Sequence, residues 1–195
     1  SLSLAGYSGK EPLVDPMCGA GTYSLEAALI AKKIPPGWFR EFAFMQWPAY
    51  RTKRFEYLKR QFEGDFVQPE KQLIFASDKD PVACRQLEHC TRQFGLSDTV
   101  SINNADFFEL VPGDFTDQLG LITINPPYGR RIGTRQGSIE IFQAICETLA
   151  REYKGWKLIL IAPSKQLEKK VPFKLKTYPL WHGGLTLKLM VGEIR

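Results

Sequence analysis

The chain has 195 residues, 44% of them apolar and 24% charged, enough for one well-buried domain and too few for two full ones. No apolar run is long enough to cross a bilayer, no signal peptide is expected, and four cysteines without a CxxC pair beside only two histidines argue against a zinc site or a disulfide framework. The composition therefore reads as a reduced, cytoplasmic compartment without metal or membrane, and a net charge of +5 allows a polyanionic partner without requiring one.

The opening SLSLAGYSGKE has no cap and no helix start, and reads as the end of an element that begins earlier, hence as part of a longer protein. EPLVDP predicts a short buried strand, and Thr22 to Lys33 a helix with Leu25, Ala28 and Leu29 on one face. The stretch Pro35 to Gln68 is too long for an ordinary loop. Its first part is aromatic (Trp38, Phe42, Phe44, Trp47) and reads as packing. Its second part is basic (Lys53, Arg54, Lys59, Arg60) and reads as the solvated face of a helix over Pro48 to Glu63. QLIFASD predicts a second strand, after which Asp80 caps a helix with Pro81 at its first position. Ala83, Leu87, Cys90 and Phe94 mark its inner face, and Gly95 its end. TVSINNAD and LGLITINPP are the third and fourth strands, Ser138 to Tyr153 a helix with Phe142, Ile145 and Leu149 inward, and WKLILIAP a fifth, nearly all-apolar strand. FKLKTYPLW and LTLKLMVGEI flank His182-Gly183-Gly184 as a hairpin. A mostly parallel α/β sheet thus ends in an antiparallel pair.

Carboxylates stand at three successive strand ends. Asp15-Pro16-Met17-Cys18-Gly19-Ala20-Gly21-Thr22 follows the first strand, at the edge where open α/β sheets bind ligands. Gly19 and Gly21 let the backbone approach a ligand, and Thr22 starts a helix whose free N–H groups favour an anionic group. A dinucleotide fingerprint would want glycine where Ser24 stands, which disfavours nicotinamide. Asp78 ends the second strand, where a carboxylate can accept from ribose hydroxyls. Asp106, followed by Phe107, ends the third, where a carboxylate suits an adenine amino group and a ring the adenine face. Each alone reads as a cap or turn residue; together they describe a nucleoside pocket.

Asn125-Pro126-Pro127-Tyr128 ends the fourth strand at the same edge. The two prolines fix φ and leave carbonyls free as acceptors. The Asn125 side-chain oxygen and the Pro126 carbonyl can together accept both hydrogens of a planar NH2, and Tyr128 offers a ring for a flat base.

DPMCGAGT together with NPPYG resembles the Rossmann-fold, S-adenosylmethionine-dependent methyltransferases that act on exocyclic amino groups. LVDPMCGAGTYSLEAALIAKKIPPG, ASDKDP and INPPYGRRIG are similar to the catalytic domain of the THUMP-associated RNA guanine-N2 methyltransferases, whose bacterial members modify 23S ribosomal RNA. The resemblance covers nearly the whole chain. It implies a doubly wound class I methyltransferase domain over residues 1–195, an insertion at 35–68, and an N-terminal RNA-binding module that is absent. It also implies S-adenosylmethionine as cofactor, S-adenosylhomocysteine as product and RNA (ribosomal RNA first) as partner; the oligomeric state is left open, with a monomer favoured. By position, Asp15, Cys18, Gly19, Gly21 and Thr22 would surround the methionine part of the cofactor, with Ala20 of the same loop also in contact. Asp78 would hold the ribose with Lys79 beside it, and Asp106 and Phe107 the adenine; Asn125, Pro126, Pro127 and Tyr128 would hold the target base. Lys79 departs from the family, standing where an apolar residue is usual. The implied reaction is methyl transfer to the N2 amine of a guanine in RNA. DNA adenine-N6 methylation is the rival, since NPPY is shared with those enzymes. A catalytically silent RNA-binding module is a second, against which the intact motif argues.

Overall fold

Leu13, Val14 and Asp15 form β1 (Leu13–Asp15), and all three are buried, because helices cover both faces of this strand. The structure is a computed structural model describing residues 1–126, 135–162, 164–182 and 185–195. β1 pairs in parallel with β2 (Ile74–Asp78) on one side and β4 (Leu121–Ile124) on the other. β3 (Val100–Asn104) pairs with β2, and β5 (Lys157–Ala162) with β4, both also parallel. β6 (Leu175–His182) and β7 (Leu185–Glu193) complete the seven-stranded order β3-β2-β1-β4-β5-β7-β6, with β7 antiparallel to both neighbours. The expected parallel sheet with a terminal antiparallel hairpin is the observed fold; residues 183–184 of the turn lie outside the described residues. The chain leaves β1 towards β2 and β3, then returns to β4, so the switch of direction falls between β1 and β4.

The period of two along β1 divides the core. Leu13 packs with Ala27 and Ala28 of α1 (Thr22–Ala31) and Leu87 of α3 (Pro81–Gln93) on one face. Val14 joins Phe142, Ile145 and Leu149 of α4 (Arg135–Glu152) on the other, the face predicted for that helix. Asp80 caps α3 as expected, its carboxylate accepting from the Val82 N–H at 2.8 Å. The inner face of α3 differs from expectation: Cys84, Leu87 and Thr91 are buried. Ala83 instead reaches the cavity described below, and Phe94 stacks on Phe39 at 4.7 Å. α1 ends two residues early because Lys33 adopts φ 56 and the Ile34 N–H turns back to the Leu29 carbonyl.

In the 35–68 segment the helix starts at Thr52 and not Pro48: α2 (Thr52–Glu63) is preceded by a 3-10 turn at Ala43–Gln46. Trp38 packs edge-on against Phe66, and Phe42 stacks on Phe44, as expected of packing residues. Trp47 does not pack this way and is 65% exposed. Lys59 leaves the solvated face, lying 4.4 Å from the Trp38 ring centre with its ammonium donating to the Trp38 carbonyl. Lys32, buried just after α1, donates to Gln68 Oε1 and to Asp98 Oδ2, each at 2.9 Å, and so clamps the segment's far end. Lys32 follows α1 and Asp98 precedes β3, so this clamp lies at the amino edge of the sheet. Among the described residues, no helix is long and apolar enough to cross a membrane.

Candidate active site

At the opposite, carboxyl edge the loops after β1, β2, β3 and β4 enclose a cavity of about 1320 Å³. Asp15, Cys18, Gly19, Ala20, Thr22, Asp78, Lys79, Asp106, Phe107, Asn125 and Pro126 all stand on its wall. Eleven of the fourteen residues singled out in the sequence are thus brought together. Pro127 and Tyr128 lie outside the described residues. The fourteenth, Gly21, turns away. Its φ of 78 makes it the N-cap of α1, and Leu87 occupies the space a Cβ would need. Gly21 therefore serves the approach of α1 to α3, whereas Gly19, with φ 52 and open space at its Cβ position, faces the cavity.

The carboxylates differ in setting. Asp15 is 1% exposed, and its Oδ2 accepts from the Ser24 hydroxyl at 2.7 Å and the Ser24 N–H at 3.2 Å. Burial pushes its carboxyl up to about 6, against the downward pull of the Ser24 and Thr123 hydroxyls. Asp78 accepts from the Gly19 N–H through Oδ2 and from the Asp80 N–H through Oδ1, both at 2.9 Å. It therefore ties the glycine loop to the start of α3 and keeps further lone pairs for a ligand. Asp106 caps a 3-10 turn, Phe107–Glu109, by accepting from the Phe108 N–H at 3.1 Å. That turn settles which ring meets solvent: Phe107 is 1% exposed and stacked near Tyr153, whereas Phe108 is 43% exposed and shares the cavity wall. Burial also pushes the Cys18 thiol well up, with the nearby carboxylates of Asp15 and Asp78 adding to the effect. It is a neutral thiol at neutral pH and an unsuitable nucleophile.

Asn125 is exposed just after the end of β4, beside the buried Pro126, and lies two residues beyond the level at which Asp15 stands in the neighbouring β1. The arrangement offers acceptors to a sugar and an amino group, and a side-chain amide to a second ligand. Sequence reading missed several wall residues. Glu26 lies four positions after Thr22, and Gln86 four after Val82, so helical spacing alone carried a signal for both. Leu180 and Leu187 of the hairpin also line the cavity, and no local pattern announced them. Among the described residues no cluster of histidine, cysteine or carboxylate side chains is placed to hold a metal.

A family model described as RMKL-like, methyltransferase domain (UPF0020) matches residues 2–177. The ribosomal RNA large subunit methyltransferase K/L of Chromohalobacter salexigens is 31% identical over 186 residues, covering 93% of this chain and 25% of the relative. A Synechocystis protein provisionally named an RNA methyltransferase is 28% identical over 195 residues, covering 99% of this chain and 50% of its own length. A protein provisionally described as a methyltransferase and solved in complex with SAH superposes with a TM-score of 0.85 at 26% identity, over 100% of this chain and 51% of that one. A Listeria monocytogenes protein provisionally described as an N6-adenine-specific DNA methylase shares the fold, with a TM-score of 0.80 at 22% identity over 98% of this chain and 49% of its own. The chain thus spans about half or less of the length of these relatives.

Proposed function

The chain belongs to the RMKL-like methyltransferase domain family, and from that premise we propose that it transfers a methyl group from S-adenosylmethionine to the N2 amine of a guanine in ribosomal RNA of the large subunit. The observation that carries this reading is the convergence of Gly19, Asp78, Asp106 and Asn125 on one cavity at the switch point. At about 1320 Å³ that cavity exceeds what one small ligand needs, which suits a cofactor and an extruded base together. We read residues 1–195 as a single catalytic domain with an insertion at 35–68, working beside an RNA-binding module elsewhere in the whole protein.

The residues fit the cofactor. Gly19 presents backbone without a side chain to the cavity, and Asp78 is held with lone pairs free for ribose hydroxyls. Asp106 takes the adenine amino group, and the exposed Phe108 ring supplies the apolar surface beside it. When bound, the cofactor supplies an electrophilic methyl on a sulfonium. Asn125 and the Pro126 carbonyl accept the two amine hydrogens of the target. This draws the nitrogen lone pair out of conjugation and aims it at the methyl carbon. The nitrogen loses its proton after the methyl arrives, so no strong base is required before attack.

Incubation with labelled S-adenosylmethionine and either bulk ribosomal RNA or DNA, followed by mass spectrometry of the nucleosides, tests the reading. N2-methylguanosine from RNA is the expected product. N6-methyladenine in DNA would replace it with the rival chemistry, and RNA binding without any label would indicate a silent module.

A further inference from the structure

Among the described residues the β5–β7 ladder runs to the pair Ala162–Lys188, and the β6–β7 ladder continues through Leu180–Leu187, Trp181–Thr186 and His182–Leu185. The hairpin therefore overhangs the carboxyl edge of the sheet by roughly 10 Å, three residues at about 3.4 Å each. One face of this overhang carries Leu180 and Leu187, which belong to the active-site cavity. The alternation of the strands puts Trp181, Thr186 and Lys188 on the other face. Trp181 is 73% exposed, more than any other large hydrophobic side chain among the described residues. Among the described residues it makes no ring contact, unlike the packed aromatics of the 35–68 segment. A single exposed apolar side chain is ordinary on a protein surface; this one is set apart by standing at the rim of the site beside a basic stretch, and that pairing points to an occupant.

The charge around it identifies that occupant. Residues 164–188 hold six lysines against one acid, Glu168, a net charge as large as the +5 of the whole chain. α5 (Lys165–Glu168) anchors the lysine-rich stretch through Leu167, in the same core layer as Phe142 and Met190. Met190 alternates with Lys188 and Trp181 on that face, so the exposed Lys169 and Lys170 and the indole face the same side of the sheet. Between β4 and β6 lie three strand spacings, roughly 14 Å at about 4.8 Å each. That is beyond the reach of the base held at Asn125 and within the reach of its flanking nucleotides.

We propose that Trp181 is a stacking platform for an unpaired base flanking the target nucleotide, with Lys169, Lys170 and Lys188 holding the adjoining phosphates. Stacking of a base on an aromatic ring is sequence-tolerant and is worth about 1–3 kcal/mol, which corresponds to roughly 5- to 150-fold in affinity. The assignment rests on the RNA reading above and deepens it.

The test uses the 195-residue chain and a fluorescently labelled, mixed-sequence single-stranded RNA of twelve nucleotides at low salt. Trp181→Ala is expected to weaken binding fivefold or more, and Trp181→Phe to recover most of the loss. Affinity for S-adenosylhomocysteine, measured by calorimetry on all three proteins, should stay within twofold and so certifies folding. Equal RNA affinity of wild type and Trp181→Ala would overturn the proposal, as would a Phe variant as weak as the Ala variant. Binding to anionic lipid vesicles in preference to the RNA would overturn it in favour of a membrane surface. The guanine-N2 assignment fails on a separate readout, the identity of the methylated nucleoside, which these affinities do not touch.

Discussion

The backbone N–H of Gly19 donates to Asp78 Oδ2 at 2.9 Å, joining two loops that lie 59 positions apart in the sequence. The carboxylate that we assign to the ribose therefore also shapes the turn beneath the methionine part of the cofactor. Binding then needs little ordering of the loop, because the protein already holds it. Asp78→Ala removes both functions. Hydrogen bonds to charged groups are worth about 1.5–3 kcal/mol, so calorimetry should show at least a tenfold loss of S-adenosylhomocysteine affinity. An unchanged affinity would refute the ribose assignment.

Asn125 faces the other substrate. Its replacement by alanine is expected to lower the rate of methyl transfer about a hundredfold or more while leaving cofactor affinity within a factor of two. Single-turnover transfer from labelled cofactor, alongside calorimetry, separates the two quantities. Activity within a few-fold of wild type would remove Asn125 from the proposed mechanism.

Asp15 gives the protein an unusual acid-side profile. With its folded carboxyl near 6 and its ordinary value at 3.8, the folded state keeps a proton that the unfolded chain has already released. Stability from this group is therefore greatest below about pH 4, declines as pH rises towards 6, and is flat above. The full difference is on the order of 3 kcal/mol. Asp15→Asn keeps an oxygen for the Ser24 donors and removes the charge. Urea unfolding at several pH values should show a flatter dependence between pH 4 and 6, and a variant more stable than wild type at pH 7.

Two glycines in one loop should respond differently to alanine. At Gly21 the positive φ costs about 1–2 kcal/mol and the collision with Leu87 adds a similar amount, so Gly21→Ala should destabilise by about 3 kcal/mol. At Gly19 the backbone cost alone applies, because the Cβ enters open space. Its alanine variant should lose only about 1 kcal/mol in thermal or urea unfolding, and should lose cofactor affinity instead.

That contrast shows where the sequence was readable. Strand ends marked by Asp15, Asp78 and Asn125 were legible because each follows an apolar run, Asp106 because it follows a short strand pattern, and a parallel sheet gathers such ends on one edge. The cap at Asp80 and the antiparallel pairing of β6 with β7 were legible for the same local reason. Gly19 and Gly21 look alike in sequence, and only the packing of α3 against α1 separates ligand wall from helix contact. Phe107 and Phe108 are likewise adjacent and chemically equal, and a single 3-10 turn decides which is buried. The face of α3 was misjudged by one residue, since Ala83 and Cys84 are both small enough to be buried. Lys32, a lysine in the core layer, became intelligible only beside Asp98 and Gln68. Hydrogen bonds from Gln68, Lys32 and Thr99 outweigh the upward push of partial burial on Asp98 and bring it down to about 2.

The placement of residues 35–68 also bears on how the protein comes apart. α2 contains no buried residue, and the clamp through Lys32 stands at the edge of the sheet opposite the cavity. A segment with few buried contacts opens at a small fraction of the global unfolding free energy. It can therefore breathe as a unit of its own, exchanging its amide hydrogens early while β1, β4 and β5 stay protected. Such openings would free the backbone around the already exposed Phe62, Tyr57 and Trp47 for proteases and would leave the carboxyl edge of the sheet intact. The first nick in this chain should then be a cut that catalysis survives.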